Sequence, residues 1–290
     1  MKKNFAYIIL ASIAWGTTGL FVNALGPLGL SSLQMATIRG SVAAICMSLY
    51  ALIFDRSLFK ISLSEFVLFL CSGVSMYLTS ASYFASIQAS SVSMAVVIMY
   101  TAPIMIMAYS VAFFGERFTG KKCFSLICMV IGCALVSGIV GGVEFNLWGV
   151  VFGLGAGVAY SAYNIFTKIQ MRRKSNPVSA SMYCFIFMAL ASYIPSNPVH
   201  IIKIACDNFP NGVLLMVGCG VITSVLPYFL YTLSLKKIPV GVASALSIIE
   251  PMAAMILSIA FLGEKLNIFS LCGIILILGS VFILSTEKSA

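Results

Sequence analysis

One carboxylate, Glu250, lies near the middle of an otherwise uncharged apolar run covering residues 240–262. At the depth of a bilayer such a group costs about 2.5–3.5 kcal/mol on insertion scales unless water or a partner receives it. Glu250 is therefore expected to face a cavity, where burial favours its neutral form and suits it to reversible protonation. The plainer alternative is a neutral glutamic acid bonded to a hydroxyl or amide, holding two helices together. Arg39 is the matching cation, placed in the apolar run 32–54. It has two open readings. Its guanidinium anchors the helix by reaching outward, or it recognises a substrate carboxylate or pairs with Glu250, a geometry that suits its planar fork. Arg39 and Glu250 together would suit a zwitterion.

Aromatic residues supply the rest of a candidate cavity. Trp15, Tyr77, Tyr100, Tyr160 and Tyr228 fall near the middle of apolar runs, away from the interfacial belts where aromatic side chains concentrate. They offer rings together with hydroxyl or indole donors, and Asn164 adds an amide beside Tyr160 and Tyr163. Each of them also has a packing explanation. Pro103, Pro227 and Pro251 interrupt apolar runs at similar depths, freeing carbonyls that another helix or a lined cavity must satisfy.

Other chemistries find no support. His200, the single histidine, is expected in a loop, and the nine cysteines form no metal-binding spacing. Neither a metal nor another cofactor is expected, and no structural disulfide. The segment GLGAG at 153–157 lies inside an apolar run, whereas a phosphate-binding glycine loop follows a strand in an aqueous α/β unit. Proton-transfer catalysis assembles several titratable groups within reach of one another. Here Glu250 is the one central acid, so the chain is not read as an enzyme.

The elements that must position these residues follow from composition. Hydrophobic residues make up 61% of the chain and charged ones 9%, with a mean hydropathy of +1.07. A soluble domain carries roughly 25% charge, so the chain reads as an all-α integral membrane protein. Ten spans are predicted, at about 5–23, 32–54, 65–85, 90–114, 123–140, 147–168, 178–194, 212–235, 240–262 and 268–285. Fourteen of the 17 Lys and Arg residues then fall on the side that holds both termini. The positive-inside rule makes that side cytoplasmic, and the net charge of +9 is a topology signal rather than a nucleic-acid footprint. A multi-pass protein of a cell membrane is expected, with a prokaryotic inner membrane suggested by the short loops.

Two spans end alike. Gly115-Glu116-Arg117 and Gly263-Glu264-Lys265 stand 148 residues apart, and Ala95/Ala243, Pro103/Pro251, Met107/Met255 and Ser110/Ser258 match at the same offset. Five spans precede the segment at 147 and five begin with it, so the repeat is expected as two inverted five-helix units, residues 1–143 and 144–290, forming one transmembrane body. Such halves can open a shared cavity alternately to either side, which is what a transporter requires. Each corner has a structural reading, a glycine helix stop with a solvated charge pair. It also has a functional one, in which Glu116 with Arg117 and Glu264 with Lys265 latch the two gates.

The residues ASIAWGTTGLF, Arg39, YTAP followed by FFGERF, and IIEP followed by FLGEKL resemble the EamA-type members of the drug/metabolite transporter superfamily across the whole chain. The doubled Pro-x11-Gly-Glu-basic pattern is the most specific part of the likeness. The resemblance implies ten helices, of which the third, fourth, eighth and ninth, with the first and sixth, surround a central cavity while the fifth and tenth lie at the periphery. It also implies transport of small metabolites, often export of amino acids or related compounds. A passive facilitator, or a multidrug or nucleobase transporter, is the alternative. The expected partners are the lipid bilayer and a small-molecule substrate, with protons and a second copy of the chain as further ones, and no nucleic acid.

Overall fold

The computed structural model describes residues 2–99, 101–102, 105, 119–136, 146–235, 249–264 and 268–286. Tyr100, Glu116, Arg117 and Lys265 lie outside the described residues. The helices are α1 (Lys2–Gly16), α2 (Thr18–Leu25), α3 (Ser32–Phe54), α4 (Leu63–Ala89), α5 (Val92–Met99), α6 (Gly120–Val136) and α7 (Leu147–Arg172). They continue with α8 (Pro177–Ser196), α9 (Pro198–Asp207), α10 (Asn211–Gly220), α11 (Leu226–Leu235), α12 (Ile249–Leu262) and α13 (Ile268–Thr286). Among the described residues there is no strand. Six stretches are long and apolar enough to cross a bilayer: Ala6–Leu28, Ser32–Phe54, Leu63–Ala89, Leu147–Arg172, Pro177–Ser196 and Asn211–Tyr231. Ala253–Leu262 and Leu271–Ser280 are shorter apolar helices. The spans expected at 90–114, 123–140 and 240–262 fall partly outside the described residues.

Local chemistry sets the helix starts. Ser31 and Gln34 form a capping box on α3, and Ser62 and Glu65 form another on α4, each satisfying backbone N–H groups that a helix start leaves bare. Asn146 caps α7 through the Gly149 N–H, and Asn176 caps α8 with Pro177 in its first turn. Gly263, at φ +69°, closes α12 in the left-handed conformation that a glycine adopts without strain.

Small residues bring the helices together, as expected where lipid removes most of the hydrophobic drive for association. A Cβ built on Gly73 of α4 would meet Phe187 and Cys184 of α8, one on Gly149 of α7 would meet Ser90, and one on Gly132 of α6 would meet Gly273 and Ile277 of α13. Thus α4 packs along α7 and α8, α3 along α8, α1 along α11 and α12, and α6 along α13. Large apolar side chains such as Ile53, Phe54, Leu154 and Ile194 remain exposed, which is the exterior a hydrocarbon solvent requires.

Two departures from the sequence reading concern the segment before and within the 211–231 stretch. His200 lies in a helix, α9, rather than a loop; Pro198 starts it, and Ile204 turns inward while Val199, Ile202 and Lys203 stay exposed. Between α10 and α11, residues Val221–Val225 form a π-helical turn. Pro227 follows at once, and a π-bulge is one of the ways a helix absorbs a residue that lacks an N–H.

Candidate functional site

Arg39 is fixed by that interruption. Its guanidinium is buried, 7% exposed, and does not reach outward. Nε donates to Ser224 Oγ at 2.6 Å, Nη1 to Ser80 Oγ at 3.2 Å and Nη2 to the Thr223 carbonyl at 3.1 Å. Thr223 precedes Pro227 by four residues, so in α-helical register its carbonyl would wait for an N–H that proline lacks. Arg39 supplies the donor from another helix. One side chain thus joins α3, α4 and the π turn through charge-assisted bonds.

Beside this clamp lies an aromatic group. Trp15 of α1 meets Tyr228 of α11 edge-on with centroids 5.2 Å apart, and meets Tyr231 at 5.6 Å. Tyr228 is held on its other side by Phe185 at 5.1 Å, edge-on, and its hydroxyl donates to Met76 Sδ at 3.6 Å. Tyr160 stacks with Tyr163 along α7 at 6.2 Å. Asn164 Nδ2 donates to the Tyr160 carbonyl at 2.7 Å, so that N–H is used within its own helix.

Glu250 enters from α12, half-buried. Tyr83, Tyr160 and Tyr228 all stand within its electrostatic reach, and Tyr83 and Tyr228 also within that of Arg39. Trp15, Tyr160, Tyr228, Arg39 and Glu250, named from sequence, are therefore brought into one neighbourhood drawn from five elements. Tyr77 shares a helix face with Gly73 and Ser80, which meet α8 and Arg39. Its hydroxyl is buried without a hydrogen-bond partner.

Glu264, just past the end of α12, bonds to the start of α5. Its Oε1 accepts the Val92 backbone N–H at 2.7 Å and its Oε2 accepts the Ser258 hydroxyl at 3.0 Å. Val92 is the first residue of α5, so the carboxylate sits where the unpaired N–H groups and the positive end of the helix dipole favour an anion. Sequence reasoning named Glu264 but not Val92, and it missed Ser80, Thr223, Ser224, Phe185 and Met76 altogether. Pro227 was the available signal for Thr223, four residues upstream. The two serines carry none, because hydroxyls in membrane helices commonly bond their own backbone. Among the described residues, no group of His, Cys, Asp and Glu side chains is placed to hold a metal ion.

Helices of spanning length, an apolar exterior and charged side chains held at their centre define a multi-span membrane protein with an internal polar site. The family model described as the EamA-like transporter family matches residues 3–138 and again residues 147–286, and the chain belongs to that family. It is 28% identical over 284 residues to an uncharacterized transporter of Archaeoglobus fulgidus, covering 98% of this chain and 96% of the relative. It is 26% identical over 288 residues to the uncharacterized transporter YwfM of Bacillus subtilis, covering 98% and 95%. A crystal structure 15% identical in sequence superposes with a TM-score of 0.64 over 98% of this chain and 96% of that one, a likeness of fold.

Proposed function

We propose that the protein exports small metabolites, amino acids or related compounds, by alternating access between two inverted five-helix repeats, with Glu250 carrying the coupled proton. The observation that carries this reading is that Tyr228, which touches Trp15, lies within electrostatic reach of both Glu250 and Arg39, residues contributed by helices of both halves. A carboxylate and a guanidinium held at that depth are the default mark of a substrate or ion path.

Several features support the ten-span inverted arrangement. The family model matches once in each half. The packing of α1 against α11 and α12 is echoed by that of α7 against α4 and α5, as exchange of the halves requires. Residues 1–143 and 144–290 are the repeats, and the positive-inside distribution of Lys and Arg sets both termini in the cytoplasm of a prokaryotic cell. In that orientation Glu264 and Val92 lie on the outer side, and their bond holds the outer gate shut. Glu116 is assigned the equivalent position at the inner gate, with Arg117 and Lys265 beside the two acids. Asn164 and Tyr100 complete the cavity lining, with Tyr77 behind it.

Reconstitution in liposomes tests the proposal. Efflux of labelled amino acids, nucleobases and amine drugs is measured with and without a pH gradient. Gradient-accelerated movement of an amino acid supports it. Movement indifferent to the gradient marks a facilitator, and movement of drugs or nucleobases alone rejects the substrate class.

A further inference from the structure

Trp15 Nε1 is buried and has no hydrogen-bond partner, although buried indole N–H groups usually find one. The ring has little freedom to look for an acceptor elsewhere, because Tyr228 and Tyr231 contact it at 5.2 and 5.6 Å. Its neighbour Gly16 brings α1 against α12: a Cβ there would lie 2.8 Å from the Ala253 side chain and 2.9 Å from the Ala254 nitrogen. Glu250 stands three residues before Ala253 on that same helix, so the indole and the carboxylate come from adjoining helices at neighbouring levels. Tyr228 touches the indole and lies within reach of Glu250.

Arg39 is the donor a carboxylate-bearing substrate would be expected to seek, yet three of its five N–H groups, one on each nitrogen, already donate to protein oxygens and hold the guanidinium in its clamp. Tyr77 Oη is also unpartnered; it lies on the helix face shared with Gly73 and Ser80, which meet Phe187 of α8 and Arg39. Among the described residues, the indole N–H is a buried donor without a partner whose ring touches Tyr228, itself within electrostatic reach of Glu250.

We infer that the Trp15 indole N–H reads an acceptor oxygen of the substrate, next to the amino group that Glu250 receives, and so determines specificity. This rests on the cavity reading above. The site then favours amines that carry a carboxylate over the same amines without one, because only the former satisfies the buried donor. Arg39, by contrast, holds the helix interruption in place.

Two matched pairs test this: L-phenylalanine with 2-phenylethylamine, and L-leucine with 3-methylbutylamine. Trp15→Phe keeps an aromatic ring and removes the N–H. It is expected to raise the KM of each amino acid about tenfold more than the KM of the matching amine, since only the amino acid loses an acceptor's partner. Equal changes for both members of a pair would overturn the inference. A second readout needs no transport: Trp148, 64% exposed, is the only other tryptophan, so Trp148→Phe leaves Trp15 as the sole indole emitter. The amino acids are expected to red-shift its emission and the amines to leave it unmoved. An identical response to both overturns the assignment while leaving the cavity intact. If no compound shifts the emission or moves in liposomes, the cavity reading falls and the inference with it.

Discussion

Arg39 Nη2 donates to the Thr223 carbonyl at 3.1 Å, four residues before Pro227, so an arginine on one helix completes a bond that a proline on another has left open. The two residues are energetically coupled on this account. Arg39→Met leaves Thr223, Ser224 and Ser80 without their donor and is expected to destabilise the fold by about 1–3 kcal/mol. Pro227→Ala restores an N–H for Thr223, so the double variant should lose less than the two single losses combined. Thermal unfolding in detergent measures the cycle, and simple additivity would contradict it.

The bond from Glu264 to the Val92 N–H gives a second prediction. A carboxylate on a helix start contributes about 1 kcal/mol, so under the proposed gating Glu264→Ala should shift the balance between closed and open forms about fivefold. Labelling of a cysteine introduced at Ser91 from the outer side would report the shift. A rate unchanged from the parent would remove the latch.

Much of this architecture is legible in the sequence, and what is not has identifiable causes. Hydropathy places Arg39, Trp15, Tyr228 and Glu250 at depth because a bilayer fixes how far along a helix each residue lies. It says nothing about rotation around the helix. Tyr77 has the right depth, yet it shares a face with Gly73, which packs against Phe187 and Cys184 of α8. Arg39 was read as an outward anchor or a partner for a carboxylate, and its actual partners come from residues 41 and 185 positions away. No spacing rule reaches that far. His200 was expected in a loop because α9, 10 residues long, is too short to read as a span.

Glycine contacts separate two substitutions of identical chemistry. At Gly16 a methyl group would meet the Ala254 backbone nitrogen at 2.9 Å, whereas at Gly279 it would have nothing within 4 Å. Gly16→Ala should force α1 from α12 and cost about 1–3 kcal/mol. Gly279→Ala should be neutral, or stabilising by up to about 1 kcal/mol through helix propensity. Melting temperatures of the two variants decide between them.

His200 carries a prediction about a single proton. Gln34 Oε1 accepts the Ser31 N–H at 3.0 Å in the α3 capping box, which orients its amide so that Nε2 donates to His200 Nδ1 at 2.9 Å. The Nε2–H tautomer of the imidazole is therefore the one expected. Because the chain has one histidine, nitrogen-15 spectra of a histidine-labelled sample with a non-histidine tag report it without assignment. Gln34→Ala should release the tautomer preference, and a proton on Nδ1 in the parent would contradict the orientation.

The central claim is that Glu250 carries the proton that drives transport. Glu250→Gln keeps the size and hydrogen-bonding capacity of the side chain and removes its titration. The measurement is made in liposomes with the amino acid that the parent moves best, comparing gradient-driven efflux with exchange of substrate at equal pH. The account predicts that Glu250→Gln loses the acceleration by the pH gradient and retains exchange. Acceleration equal to that of the parent would contradict it.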